Sequence, residues 1–245
     1  MPFHPRLPGL WQVTRLVSFN CQLIAYKDGL TLVDTGLAGT APAIAKAIRE
    51  IGLPLRRILI THAHTDHVGS LDALAALFPS AEVAASARSA RLMAGMRTLE
   101  PTDEGRPLKG GFKRTRTVPH RIVAEGDRIE GLRVIGAAGH APDHVAYLFE
   151  PTGVLLAGDA LHSAGGRLTV SGEFRPRFPF PFFSTWDKHL ALATARRLAD
   201  LRPAALAVGH GPVLLDPQSA LENAIRHAER AFAKHPAPTG SSQTA

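Results

Sequence analysis

Three histidines and one aspartate stand within six consecutive residues, in the order H-x-H-x-D-H: His62, His64, Asp66 and His67. An apolar run over residues 56–60, typical of a buried strand, precedes them, and a helical pattern continues from His67 to residue 78. The four side chains are therefore expected on a strand-to-helix loop, where imidazole and carboxylate groups can converge on a metal ion. Such a cluster would arise by chance in roughly one such chain in a thousand, which favours a metal site over scattered surface histidines.

The composition limits what else could bind a metal. Cys21 is the only cysteine in 245 residues, which excludes an internal disulfide and any cysteine-based zinc finger or iron–sulfur cluster. With 45% hydrophobic and 20% charged residues, the chain has a globular rather than a disordered composition. No apolar stretch approaches the ~20 residues of a membrane span, and the N-terminus lacks the apolar core of a signal peptide. We therefore expect a cytoplasmic protein with no membrane partner.

Strand-like runs alternate with amphipathic helices, without a linker or a short repeat. This pattern predicts one domain over residues 1–234 and a flexible tail over residues 235–245, and two facing sheets with helices outside would satisfy it. The predicted helices cover residues 40–52, with Thr40 as N-cap, 67–78 and 184–201, and a fourth opens at Asp216. Ser184 and Asp187 are spaced for a capping box. The predicted strands cover residues 11–17, 21–26, 30–34, 56–60, 81–84, 132–137, 145–150, 154–157 and 204–208.

Three further ligand candidates each follow a predicted strand and stand beside glycine. His140 lies in GHAPDH, Asp159 in GDA and His210 in GHG. Glycine lets the backbone turn tightly at a strand end. Several strand ends that deliver ligands to one rim would build a site in a layered fold.

The motifs THAHTDH, GHAPDH, GDA and GHG, in this order, resemble the metallo-β-lactamase-fold hydrolase superfamily in its glyoxalase II and lactonase-like branch. The resemblance extends from VDTG at residues 33–36 to His210, and it implies a four-layer αββα sandwich. It also implies two divalent metal ions, for which zinc is expected and iron and manganese are alternatives. By this resemblance the first ion is held by His62, His64 and His140, the second by Asp66, His67 and His210, and Asp159 bridges both.

Asp34, at the end of a strand, resembles the family's carboxylate that orients a ligating histidine. A turn-capping role is the alternative for Asp34.

The implied reaction is hydrolysis of a small ester, thioester or lactone by a metal-bridging hydroxide. Two cations roughly 3.5–4 Å apart lower the pKa of a shared water toward ~7, and Asp66 would orient that water and take its proton. Alternatives are a metal-dependent nuclease or phosphodiesterase and a mononuclear iron persulfide dioxygenase. A dedicated β-lactamase is disfavoured because class B β-lactamases do not use the bridging aspartate that Asp159 would supply.

Two residues depart from named relatives. Glyoxalase II enzymes carry GHTPGH where this chain has GHAPDH, so Asp143 replaces a glycine beside a ligand. These enzymes also add a basic helical C-terminal region, whereas we expect only one helix and a tail after His210, which disfavours a glutathione thioesterase. Lactonases place a tyrosine three residues after the bridging aspartate, where this chain has His162. With a pKa near neutrality His162 could donate a proton in catalysis, and an ordinary loop histidine is the alternative.

Two segments bear on the partner. Residues 88–121, here called the basic segment, carry nine basic and three acidic residues in a chain of net charge +7. It could steer an anionic substrate, bind nucleic acid or be a solvated loop; nucleic acid is disfavoured because no RNA-binding arm or second domain is evident. Residues 172–186, the phenylalanine arm, hold five Phe and three Pro and could wall an acyl pocket, form a homodimer interface or cover the core edge. We expect an anionic or acyl-bearing small-molecule substrate.

Overall fold

The computed structural model describes residues 3–233. The tail predicted over residues 235–245 lies outside the described residues, and the single domain over residues 1–234 stays a prediction. Among the helices of residues 3–233, none combines the length and the apolar character that crossing a bilayer requires.

The first sheet contains seven strands whose spatial order follows the chain. The first four pair antiparallel through short turns, whereas the fourth to the seventh pair in parallel. Parallel neighbours need a crossover connection, and helices fill these connections. The strands are β1 (Phe3–Leu7), β2 (Leu10–Arg15), β3 (Phe19–Tyr26), β4 (Gly29–Val33), β5 (Leu55–Leu59), β6 (Glu82–Ser86) and β7 (Arg121–Val123).

The second sheet contains six strands in the order β15-β14-β11-β10-β9-β8, and a separate pair joins β12 to β13. Only β11 and β14 pair in parallel in the second sheet. The strands are β8 (Arg128–Ile129), β9 (Leu132–Gly136), β10 (Val145–Phe149), β11 (Val154–Leu156), β12 (Leu161–His162), β13 (Thr169–Val170), β14 (Ala205–Ala207) and β15 (Leu214–Leu215).

Helices cover the outer face of each sheet. Those of the first half are α1 (Ala41–Ile51), α2 (Thr65–Val68), α3 (Leu71–Leu77) and α4 (Ala87–Met93); those of the second half are α5 (Phe180–Ser184), α6 (Lys188–Asp200) and α7 (Gln218–Ala233).

Neighbouring residues on the central strands face different apolar layers, because side chains alternate across a strand. Leu32 packs with the helices of the first half, while Val33 packs between the two sheets. In the second sheet, Leu155 packs with α6 and α7 and Leu156 faces the first sheet. Three apolar layers therefore separate four layers of structure, which confirms the predicted αββα sandwich. Strands buried on both faces also explain why they appear as continuous apolar runs in the sequence.

Two predicted helices are wrong in extent. The helix predicted over residues 67–78 is divided into α2 and α3 at Gly69, where a Cβ would collide with the backbone of Gly36 and Ala38. The helix predicted over residues 184–201 begins later, as α6 at Lys188, and the separate short helix α5 that ends at Ser184 was not predicted. Asp187 is the N-cap of α6 and accepts hydrogen bonds from the backbone of His189 and Leu190, so no capping box with Ser184 forms.

Other differences are smaller. Thr40 is the N-cap residue of α1 without a side-chain cap; the hydroxyl of Ser70 accepts from the amides of Thr40 and Ala41 instead. The helix ends as predicted at Gly52, which adopts φ +78°. Six strands were not predicted, namely β1, β7, β8, β12, β13 and β15. Five of these six have two or three residues, too few to show a period.

The fold brings the ends of five strands to one rim. Asp34 follows β4, and the loop that begins the H-x-H-x-D-H motif follows β5. The strands β9, β11 and β14 are followed by His140, Asp159 and His210, respectively. Asp34 adopts φ +60°, an uncommon conformation for a residue other than glycine. Its amide donates to the carbonyl of Leu59, and its carboxylate accepts from the amide of Thr61. The two strand ends are therefore bonded to each other directly beside the candidate site.

Candidate metal centre

The first group of ligands consists of three buried histidines. The Nε2 atom of His62 lies 3.1 Å from Nδ1 of His64, and this Nδ1 lies 3.0 Å from Nε2 of His140. Two ligand atoms that each lie ~2.0–2.1 Å from one tetrahedral zinc ion are roughly 3.3 Å apart. The three nitrogens therefore converge with the spacing that a single divalent cation requires.

The second group combines two carboxylates with two imidazoles: Asp66, His67, Asp159 and His210. The Nε2 atom of His210 lies 3.3 Å from Oδ2 of Asp66 and 3.0 Å from Oδ2 of Asp159. The Nε2 atom of His67 lies 3.3 Å from Oδ1 of Asp159. The candidate ligand atoms of this group all lie within 4.8 Å of one another. Both groups predicted from the sequence are therefore assembled by the fold.

Asp159 lies between the two groups. Its Oδ2 atom is 3.5 Å from Nε2 of His140, a member of the first group, while its Oδ1 atom faces His67 of the second. Within the described residues, Oδ1 of Asp159 and Nε2 of His67 are buried without a hydrogen-bond partner. Orphaned buried polar atoms are costly, and a cation between them would satisfy both. The residues present therefore fit two divalent ions.

All five histidines have their second ring nitrogen next to a hydrogen-bond acceptor of the protein. If this second, outer nitrogen carries the proton, the inner nitrogen that faces the metal site keeps a free lone pair for a metal. The hydrogen bond of the outer nitrogen then fixes the orientation of the ring. Asp34 acts on two ligands, because its Oδ2 accepts from His67 and also from the hydroxyl of Thr61 that faces His62. The pairs are His62 with the Thr61 hydroxyl at 3.0 Å, His64 with the Lys109 carbonyl at 2.9 Å, His67 with Asp34 at 2.8 Å, His140 with the Thr185 hydroxyl at 3.2 Å and His210 with the Ser18 carbonyl at 3.2 Å.

The two groups differ in charge. Burial lowers the pKa of His62 and of His140 well below the usual range, so these rings are neutral and ready to bind a cation. At His210 burial acts in the same direction, but Asp159 and Asp66 outweigh it and raise the pKa to about 9. Carboxylates raise the pKa of His67 in the same way. Without a metal, protons on these two histidines balance the carboxylates, and a cation would replace them.

The basic segment reaches the first group through its backbone. The carbonyl of Lys109 accepts from His64, and the next residue, Gly110, adopts φ +91°. A Cβ at Gly110 would collide with the imidazole of His64. The amide of Thr65 donates to the carbonyl of Gly111 at 2.8 Å. Sequence reasoning missed this contact, for which the Gly110-Gly111 pair within a charged segment was the available signal.

The charges of the basic segment are partly used inside the protein. Arg88 is buried and forms ion pairs with Glu100 and Asp103, and Arg116 lies 3.8 Å from Asp72. The segment contains α4 and a short 3-10 helix at Pro101–Asp103. The alternative of a purely solvated loop is therefore wrong for its first part, and steering of an anionic substrate stays a prediction.

Asp143, which replaces a glycine of the related motif, supports the ligand loop. Its Oδ2 accepts from the amide of Ala63, between the first two histidines, at 2.8 Å, and from the hydroxyl of Ser89 at 2.7 Å. The side chain is buried. Asp143 therefore connects the ligand loop to α4.

His162 lies in β12 and differs from its predicted environment. Burial, together with the nearby His210, lowers its pKa to about 3, so the expectation of a pKa near neutrality is wrong. Neither ring nitrogen has a hydrogen-bond partner among the described residues, and the ring lies 5.9 Å from that of Phe178. His162 is also not among the residues that line the cavity over the metal centre. Its catalytic role stays a prediction that this environment does not support.

A cavity of about 380 Å³ opens above both groups. Its floor contains His64, Asp66, His140, Asp159 and His210, and Asp66 remains partly exposed there. The phenylalanine arm forms part of one side. The remaining lining residues are Phe19, Leu37, Thr65, Gly110, Gly111, Phe180, Pro181, Phe183 and Ser184.

The chain belongs to the metallo-β-lactamase superfamily, whose family model matches residues 16–210. It is 41% identical over 225 residues to the uncharacterized protein YobT of Bacillus subtilis (strain 168), covering 90% of this chain and 96% of YobT. It is also 35% identical over 151 residues to hydroxyacylglutathione hydrolase of Stenotrophomonas maltophilia (strain R551-3), covering 60% of this chain and 47% of that protein. The chain thus spans about half the length of that hydrolase.

Solved structures share the fold. The di-iron-bound form of the protein TTHA1623 aligns with a TM-score of 0.63 and 24% identity, covering 84% of this chain and 94% of that one. Family and fold confirm the resemblance seen in the motifs. The superfamily and the hydroxyacylglutathione hydrolase relatives indicate a metal-dependent hydrolase with a His/Asp centre for divalent metals.

Proposed function

We propose that this protein is a dinuclear metal-dependent hydrolase that cleaves a small ester, thioester or lactone, with two zinc ions as the expected metals. The observation that carries the proposal is the position of Asp159 between the two ligand groups, with one buried oxygen unpartnered toward His67. The second group offers a complete ligand set for a further ion, which favours a dinuclear hydrolase over the mononuclear persulfide dioxygenase.

The residues of the floor and the acceptors behind them have different roles in the proposed reaction. Divalent cations bound there would acidify a water molecule for attack and polarise the carbonyl oxygen of the substrate. Asp66 faces the cavity and is the carboxylate that orients the attacking water and accepts its proton. The orienting acceptors, Asp34 among them, hold the imidazoles in place so that the floor does not rearrange during the reaction.

The lining of the cavity favours a small acyl substrate over a large polyanionic one. Among the described residues, no lysine or arginine side chain lines it. Away from the metal floor, the further phosphates of a nucleic acid or the carboxylates of a glutathione thioester would therefore meet no basic side chain in the cavity, and an unpaired charge is expensive to desolvate. A nuclease and a glutathione thioesterase are accordingly the weaker candidates.

The test is metal analysis combined with a substrate panel of lactones, thioesters, esters, phosphodiesters and β-lactams. We expect two metal equivalents per chain and turnover of acyl substrates, with little on phosphodiesters. His64→Ala, at a ligand of the first group, should lose turnover. Cleavage of RNA or DNA that disappears in His64→Ala would contradict the proposal, as would a single iron together with oxygen uptake on a persulfide. The cytoplasmic location and a homodimer stay predictions.

A further inference from the structure

Five of the residues that line the cavity are apolar, and together they are here called the apolar wall. Phe180, Pro181 and Phe183 come from α5, and Phe19 and Leu37 come from the first half of the chain. Phe180 is 63% exposed and Phe183 is 67% exposed. Burying a phenylalanine side chain stabilises a protein by ~1.5–3 kcal/mol, and these two rings forgo most of that gain beside a cavity.

The wall is attached to the metal floor. Thr185, directly after α5, has its hydroxyl 3.2 Å from Nδ1 of His140, and the amide of Trp186 donates to the His140 carbonyl at 2.8 Å. The amide of Asp187 donates to the carbonyl of Gly139 at 2.9 Å. These contacts set the distance between the phenylalanine rings and the first ligand group. If the carbonyl group of a substrate lies at the floor, a defined part of the substrate's acyl chain would therefore lie against the wall.

The basic segment contributes glycine rather than charge to the cavity. Gly110 and Gly111 are in the lining, whereas no lysine or arginine of the segment is among the described residues that line the cavity. Lys113 donates to the carbonyl of Gly69, and Arg97 donates to the carbonyl of Phe112 and lies over its ring. Apart from the floor, the lining is therefore apolar along the wall and carries no basic side chain from this segment.

We propose, on the basis of the proposed function, that the acyl part of the substrate is an uncharged, apolar chain that packs on the apolar wall, with Phe183 as a determinant of chain-length specificity. A cavity of about 380 Å³ is at the small end of ligand pockets, which span ~300–1,000 Å³. It suits an acyl group of medium length rather than a large ligand. The wall selects the acyl chain, and the floor cleaves the bond at its end.

A chain-length series tests this. Esters with one leaving group and linear acyl chains of increasing length are hydrolysed by the metal-loaded protein, and kcat/KM is measured for each. We expect kcat/KM to rise by up to roughly fourfold per methylene until the cavity is filled. A flat series would overturn the inference and leave the proposed function intact. No hydrolysis of any acyl substrate by the metal-loaded protein would overturn both.

Two matched variants locate the effect. Phe183→Ala should flatten the series, with a loss of roughly tenfold for the longest chains and none for the shortest. Phe174→Ala is the control, since Phe174 is 52% exposed on the same arm but does not line the cavity. Equal effects of the two substitutions would overturn the role of Phe183.

A second readout does not depend on turnover. Linear aliphatic primary amides, from butanamide to decanamide, are titrated into the metal-free protein and followed by ligand-observed NMR. Affinity should rise with chain length in the wild type and in Phe174→Ala, but not in Phe183→Ala. Light scattering on the three proteins tests the alternative that a second copy of the protein, rather than an acyl chain, covers the apolar wall. A change of oligomeric state in Phe183→Ala alone would overturn the inference.

Discussion

The floor and the apolar wall of the same cavity are built on different principles. The floor is part of a metal centre of buried polar groups, and each of the five histidines of this centre has its outer nitrogen beside an acceptor. The wall consists of phenylalanine, leucine and proline side chains, with two rings more than half exposed. Directional contacts determine the geometry in the floor, whereas only shape and apolar area act in the wall. Changes in the floor should therefore affect metal binding, and changes in the wall should affect substrate choice.

The largest effect is expected from Asp159→Asn. This change removes the charge that spans both ligand groups, so we expect loss of at least one metal equivalent and a fall in kcat of more than about a hundredfold. Asp103→Asn is the control, because Asp103 is also a buried aspartate but is paired with Arg88 and is not one of the ligands. Metal content, circular dichroism and kcat are measured together. Full turnover by a folded Asp159→Asn protein would refute the role of Asp159 as a ligand shared by the two groups.

Metal affinity should depend on pH in the second ligand group and not in the first. The pKa of His210 is raised to about 9 in the metal-free protein, so the ring is protonated below that pH and must lose its proton to bind a cation. Affinity should thus fall as pH decreases below about 9, by roughly tenfold per pH unit for each proton displaced. Chelator competition between pH 6.5 and 9.5 measures this. Equal pH dependence of both metal equivalents would contradict the charge difference between the groups.

Gly110→Ala tests whether the part of the lining that comes from the basic segment can disturb the floor. The added methyl group would displace the imidazole of His64 and its bond to the Lys109 carbonyl, and we expect metal affinity of the first group to fall by ~10–100-fold. Gly105→Ala is the matched control, because Gly105 also has a positive φ, of +74°, but nothing within 4 Å of a Cβ. Isothermal titration with zinc compares the two. Similar affinities would show that the contact does not orient His64.

Asp72→Asn should have the smallest effect. Asp72 accepts hydrogen bonds from the amides of Arg116 and Thr117 and from the Thr117 hydroxyl, and none of these three residues lines the cavity. Burial raises its pKa, but these hydrogen bonds outweigh it and lower the pKa overall. Its stabilisation is therefore present above pH ~4 and is lost as pH falls through the lowered value.

We expect a difference in unfolding free energy of under about 1 kcal/mol at neutral pH, since the carboxylate is partly screened by solvent. Urea unfolding of both proteins at pH 7 and pH 3 measures it. The difference should shrink at the lower pH while zinc affinity at pH 7 stays unchanged. A loss of zinc affinity in Asp72→Asn would contradict the expectation that the contact between Asp72 and the basic segment does not affect the metal centre.

The layered fold could be predicted because its central strands are buried on both faces and stand out as apolar runs. The ligand loops could be predicted because each follows such a run. The close approach of Gly69, between α2 and α3, to the backbone of Gly36 and Ala38 could not, since it joins two loops that are distant in the sequence. Two-residue strands such as β12 and β15 also leave no pattern that a sequence can show.

The sequence by itself determined the identity of all seven ligand candidates and the family of the protein. Clustered histidine and aspartate residues can be recognised in a sequence as candidate metal ligands. Only the tertiary structure decided which acceptors orient those ligands and which side chains line the cavity above them. Two of these acceptors are backbone carbonyls, Lys109 at 45 residues from His64 and Ser18 at 192 residues from His210. Every residue has a carbonyl, so a contact of this kind has no signature in the sequence and arises only when the chain folds.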